Sequence, residues 1–233
     1  MRKFLAIALL FLPNAALCET AHPCFTLNPN SNPTAAKAAC TDYLTSGERS
    51  DEDRGEAYAN RGIAQRELGQ MRLSVADLTK AIDAFPDPRH MRMLAWTYRE
   101  LGQPAKAEKL YTRVLKTDDH WQAWLSRCVV RQDQEKFAEA AKDCEQAILR
   151  DPDNLDALFF GARAYNFLDQ GRRALPLASK ARQLAPDDPR HLIEYVWALQ
   201  LSGRREEARR EARDGLNRFP NHPDLTEFLK LSN

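Results

Sequence analysis

The chain has 233 residues, with 34 Lys and Arg against 33 Asp and Glu, for a net charge of +1. So even a balance gives no electrostatic reason to expect nucleic acid or an anionic membrane surface as partner. The charges are interspersed along the chain, as on the solvated faces of helices, and the length suits one or two domains.

The N-terminus has the build of an export signal. Arg2 and Lys3 supply a positive start, Phe4 to Leu12 is an unbroken apolar run, and Ala16-Leu17-Cys18 offers small residues for cleavage. The apolar run is shorter than the ~20 residues needed to span a bilayer. Residues 1–18 are therefore expected to be a signal peptide. Cys18 raises a minor alternative, a lipidated N-terminal cysteine, although Leu17 stands where a small residue usually precedes it. Without residues 1–18 the net charge becomes −1, and four cysteines remain: Cys24, Cys40, Cys128 and Cys144. An even number in an exported chain points to disulfides, with three pairings open.

Residues 19–34 hold three prolines among Asn and Ser and read as an irregular strand. Residues 35–45 read as a helix, and residues 46–54 as a polar connector. A period of 34 residues then governs the chain. Residues 121–154 and 155–188 align Trp124 with Leu158, Ala140 with Ala174, Ala147 with Ala181 and Pro152 with Pro186. These fall at repeat positions 4, 20, 27 and 32.

This pattern resembles the tetratricopeptide repeat, a helix–turn–helix unit that stacks into a solenoid. Tyr58, Gly62, Leu78, Ala81 and Pro86 keep the register in a first unit, with Ser74 in place of Ala at position 20. Leu94, Ala95, Tyr98, Ala107 and Tyr111 keep it in a second, where Asp119 replaces the proline. Leu192, Ala208, Gly215 and Pro220 keep it in a fifth. The resemblance implies an all-α, right-handed α-solenoid with units at 55–87, 88–120, 121–154, 155–188 and 189–222. A degenerate half-repeat precedes them, with Ala36 and Cys40 at positions 20 and 24, and a capping helix follows at 223–233.

Small residues at positions 8, 20 and 27 let the two helices of a unit approach, and proline at 32 ends the second helix. Asp151, Asp153, Asp187 and Asp188 are placed to cap the helix that follows. In this register position 8 lies opposite position 24. Cys128 and Cys144 hold those two positions, so they should face each other within disulfide reach. Cys24 and Cys40 have the same spacing of 16, which predicts the bridges Cys24–Cys40 and Cys128–Cys144.

No chemistry is signalled. The histidines His22, His90, His120, His191 and His222 are scattered and read as exposed turn or helix-end residues, with no zinc-ligand spacing. There is no GxSxG or HExxH run, and Gly69, Gly102, Gly171 and Gly203 follow repeat turns without forming a phosphate cradle. No enzyme, metal or cofactor is expected.

In the proteins this chain resembles, positions 2, 5, 6, 9, 12 and 13 of the first helices line a concave groove. Carried over, they give Asn60, Ile63 and Arg66 in the first unit, then Arg92, Trp96 and Arg99. The third gives Leu125, Val129 and Gln132. The fourth gives Phe159, Phe160, Arg163, Asn166 and Phe167, and the fifth Ile193, Trp197 and Gln200. Aromatic and arginine side chains are favoured in binding hot spots. Clamp residues for a C-terminal carboxylate are absent, since Ala59, Ile63, Arg92 and Trp96 hold their positions. The resemblance thus implies an exported, most naturally periplasmic, scaffold for a protein or peptide partner. Self-assembly into a homo-oligomer through the same apolar face is the alternative.

Overall fold

The computed structural model describes residues 21–232; the export segment 1–18 and Cys18 lie outside the described residues. Thirteen helices are found among the described residues. They are α1 (Pro23–Thr26), α2 (Pro33–Thr45), α3 (Asp51–Glu67), α4 (Met71–Ala84), α5 (Pro88–Glu100), α6 (Pro104–Val114) and α7 (Trp121–Gln132). After these come α8 (Phe137–Arg150), α9 (Leu155–Phe167), α10 (Gly171–Leu184), α11 (Pro189–Leu201), α12 (Arg205–Arg218) and α13 (Pro223–Leu231). From α3 to α12 they form five antiparallel pairs stacked in chain order, an α-solenoid. The buried side chains fall into successive clusters, each drawn from neighbouring units. That is how a solenoid distributes its core.

Each pair turns at repeat position 15, where the backbone enters the left-handed region. Gly69, Gly102 and Gly203 take it with φ of 71°, 67° and 88°. In the third and fourth units the position falls to Glu135 and Asp169, at φ 58° and 56°. Gly171, which the sequence reading placed at a turn, is instead the first residue of α10. A Cβ there would lie 2.5 Å from the Leu201 carbonyl carbon, so that glycine serves a close approach between units.

The tight face of each unit is where expected. A Cβ on Gly62 would stand 2.8 Å from Leu78 Cγ, which brings positions 8 and 24 into contact. In the third unit Cys128 and Cys144 hold these positions and are joined, with Cα atoms 5.5 Å apart. Alongside runs a second link with the same spacing. Arg61 donates to both oxygens of Asp77 (2.6 and 2.9 Å), and Arg127 to both oxygens of Asp143 (2.8 and 2.8 Å). The sequence reading missed these ion pairs, although Arg and Asp recur at positions 7 and 23 in both units.

Several local expectations are corrected. Helix α3 begins at Asp51, ahead of Gly55, because Ser50 Oγ accepts the Asp53 N–H (3.0 Å) and Asp51, Glu52 and Asp53 fill the first turn. Of the four aspartates expected to cap, Asp188 does so, accepting from the Arg190 N–H (2.9 Å). Asn154 caps α9 instead of its aspartate neighbours, through the Ala157 N–H (3.0 Å). Asp151 accepts from the Asn154 side chain, while Asp153 and Asp187 pair with Lys180 and Arg218. His90 and His191 are buried, 1% and 3% exposed, because repeat position 3 faces the neighbouring helix pair. The segment read as an irregular strand contains α1, a helical turn with Pro23 first and the His22 ring accepting the Cys24 N–H (3.2 Å). It lies where the first helix of the half-repeat would lie, and Cys24 is joined to Cys40 with Cα atoms 4.5 Å apart.

Candidate partner-binding groove

The inner face divides into three stretches that differ in how far their side chains are already engaged. At the N-terminal end, Asn60 Nδ2 donates to the Cys24 carbonyl (3.0 Å) and Ile63 is buried. Arg66 donates to Glu67 (2.8 Å) and reaches Asn30 (3.4 Å). The chain's own N-terminal segment therefore lies against this part of the face. Asn60 and Ile63, carried over as groove residues, are occupied internally.

The middle stretch is open but electrostatically satisfied. Arg92 is paired with Asp118, and Arg99 Nε with Asp133 (2.5 Å). Trp96 is 52% exposed and, with Arg66, Arg92, Trp121 and Leu125, borders a concavity of 320 Å³. Val129 is half-buried. Gln132 is spent on structure, its Nε2 donating to the Phe160 carbonyl (2.8 Å).

The C-terminal stretch opens into a cavity of 610 Å³ between α9 and α11, and six of the candidate residues line it: Phe159, Arg163, Asn166, Phe167, Ile193 and Trp197. Phe167 is 56% exposed and stacks on Phe137, with ring centres 4.4 Å apart. Trp197 meets Phe228 of α13 edge to face at 5.2 Å, which fixes its ring at the rim. Phe159 is mostly buried, edge to face with Phe160 (5.0 Å) and His191 (5.8 Å). Phe160 itself is half-buried and does not border the cavity. Burial holds the His191 imidazole below its ordinary pKa, with the Asp188 charge partly opposing that.

Glu194 and Asp224 also line the cavity and were not anticipated. Glu194 occupies position 6 of the fifth unit, so the repeat register was enough to find it. Asp224 comes from α13, which lies outside the repeat, and no sequence signal placed it here. Asn166 Nδ2 donates to the Glu194 carboxylate (2.8 Å) and to its backbone carbonyl (3.0 Å). Burial pushes the Glu194 carboxyl up; the Asn166 hydrogen bond and the charge of Arg163 partly oppose that. No cluster of three or more metal-ligating side chains occurs among the described residues.

The tetratricopeptide repeat family matches residues 55–88 and again residues 92–127. The first match falls on the pair α3–α4; the second runs from α5 through α6 into α7. Residues 55–88 and 92–127 therefore carry tetratricopeptide repeats. The chain is 34% identical over 100 residues to the TPR repeat-containing protein PA4667 of Pseudomonas aeruginosa; the match covers 42% of this chain and 17% of that protein's length. Among solved structures, MamA from Desulfovibrio magneticus RS-1 superposes with a TM-score of 0.67 at 17% identity, over 73% of this chain and 98% of that one. YrrB, described as a TPR protein with an unusual peptide-binding site, gives a TM-score of 0.62 at 19% identity, over 72% and 86%. At such identities these likenesses concern the fold alone. No helix among the described residues is long and apolar enough to cross a membrane.

Proposed function

We propose that this protein is an exported, non-catalytic scaffold that holds a segment of a partner protein along its inner face. The observation that carries the reading is the set of aromatic rings that three of the units present to the inner face. Trp96, Phe167 and Trp197 come from the second, fourth and fifth pairs, and the last two border the 610 Å³ cavity. Large aromatic side chains kept at a solvent-facing concavity are the usual mark of a surface that a partner covers. Export is supported by the sequence of residues 1–18 and by the two joined cysteine pairs, which need an oxidising compartment to persist.

The test is capture of a partner from cell-envelope extract, repeated with Trp96→Ala and Arg163→Ala after helicity is confirmed. Each truncation is expected to cost about 2 kcal/mol, roughly thirtyfold in affinity. Phe160→Ala is a poorer probe, because its ring packs on Phe159. Full-strength capture by both variants would move the binding surface off this face. A stable oligomer in light scattering, unchanged on dilution, would favour self-association through the same rings. N-terminal sequencing of the envelope form should begin at or near Glu19.

A further inference from the structure

The cavity between α9 and α11 carries an imbalance of charge that the rest of the inner face does not. Two arginines line it. Arg190 is held by both oxygens of Asp188, from Nε at 3.1 and 3.0 Å and from Nη2 at 2.6 Å. Arg163 lies over the Phe167 ring, 5.6 Å from its centre, and forms no ion pair among the described residues. Against these stand three lining carboxylates, Asp169, Glu194 and Asp224, and none of them is in an ion pair among the described residues.

Glu194 is the informative one. Its carboxylate receives a hydrogen bond from the neutral Asn166 amide at 2.8 Å, and burial acts on it strongly enough to raise its pKa. A carboxylate taken out of water and paired with no cation is costly to the free protein, although the charge of Arg163 offsets part of that cost. That cost is recovered when a cation arrives, because the desolvation has already been met. The ring of Trp197 lines the same cavity, and aromatic faces attract cations. The concavity around Trp96 differs: no carboxylate lines it, and Arg92 there is already paired with Asp118.

We propose that the cavity between α9 and α11 is a specificity subsite for a basic side chain, lysine or arginine, of the bound peptide. Glu194 is its counter-ion, Asp224 adds to the negative field, and the Trp197 ring forms one wall. Asn166 is a positioning residue, since its amide fixes the carboxylate that meets the ligand. The proposal rests on the reading of the inner face as a peptide groove, and it adds the chemistry of one ligand position.

The test uses heptapeptides of alanine and leucine, blocked at both ends, with arginine, citrulline or glutamate at the centre. Binding to the mature protein is measured by titration calorimetry. The indole N–H signal of Trp197, assigned by its loss in Trp197→Phe, reports whether the site is this one. The arginine peptide should bind at least tenfold more tightly than its uncharged citrulline counterpart and should shift the Trp197 signal. Glu194→Gln keeps an oxygen for Asn166 and removes the charge, so it should erase that tenfold preference with helicity and melting temperature intact. Asp224→Asn should reduce the preference by a smaller factor.

Equal binding of the arginine and citrulline peptides at this site would overturn the proposal and leave the groove reading standing. So would a preference for glutamate, which would assign the site to Arg163. Binding that leaves the Trp197 signal unmoved, or no binding of the arginine peptide at millimolar concentration, would also overturn it. In either case partner capture with Trp96→Ala still decides the groove reading separately.

Discussion

The two ends of the inner face are built on one repeat register and have opposite fates. At the N-terminal end Asn60 is bonded to the Cys24 carbonyl and Arg66 reaches Asn30, so the chain covers its own face. At the C-terminal end Phe167 and Trp197 stand around an open cavity with an unpaired carboxylate inside it. The repeat sets the backbone at both ends. Whether a face is open is decided by what lies outside the repeat: a short segment tied by one disulfide at the first end, and α13, which borders the cavity without filling it, at the second.

The largest effect should come from the ion pairs inside the helix pairs. Asp143 is 3% exposed at its side chain and accepts from Arg127 (2.8 Å) and Arg131 (2.7 Å). Asp77 serves Arg61 in the first unit. Removing one partner of a buried ion pair typically costs about 3–5 kcal/mol, because the remaining charge is stranded. Asp143→Ala should lie in that range by denaturant titration and exceed Asp77→Ala, since it strands two arginines where Asp77→Ala strands one. Equal losses would mean that Arg131 is satisfied by Glu108, its other acceptor at 3.0 Å. The Glu108 carboxyl is held down at about 2: burial works against ionisation, and the hydrogen bonds from Lys136, Arg131 and Gln134 outweigh it.

Next come the two cysteine links, which close loops of the same length, 16 residues. In the entropic model each is worth about 3 kcal/mol. Their consequences should nevertheless differ. Cys128→Ala with Cys144→Ala loosens the centre of the stack and should lower the global melting transition. Cys24→Ala with Cys40→Ala unties a segment that otherwise holds on by a few hydrogen bonds. It should open residues 21–32 to proteolysis while the main transition moves less. Unchanged resistance of that segment would show that the Asn60 and Arg66 contacts suffice to hold it.

What the sequence made legible follows from periodicity. Positions 4, 8, 20, 24 and 27 recur because each unit must repeat the same contacts, so the solenoid and the facing of Cys128 and Cys144 could be read once the resemblance to the repeat supplied its register. The inner-face positions were legible for the same reason, and six of the residues named there line one cavity. Occupancy was not legible. Asn60 looks like any other groove asparagine until Cys24 is placed beside it, and Asp224 enters the cavity from a helix with no repeat register. Nor does spacing reveal that His90 and His191, three residues into their helices, are buried against the neighbouring pair.

The smallest effect tests the turns, where the sequence departs from its own pattern. Position 15 needs a left-handed backbone in every unit, and glycine supplies it in the first, second and fifth. Glu135 adopts φ 58° in the third, a conformation that places its Cβ against the following carbonyl oxygen. Glycine pays no such steric penalty, though it loses more entropy on folding. Glu135→Gly should therefore stabilise the protein by about 0.5–1 kcal/mol, and Gly69→Ala should destabilise it by a similar or larger amount. Gly69 has open space around it, so an alanine there meets no neighbour and the backbone alone is tested. The Glu135 side chain makes no ion pair among the described residues, so its removal adds no loss of its own. A denaturation midpoint that falls for Glu135→Gly would show that the third turn has relaxed its strain and is held by other means than the glycine turns are.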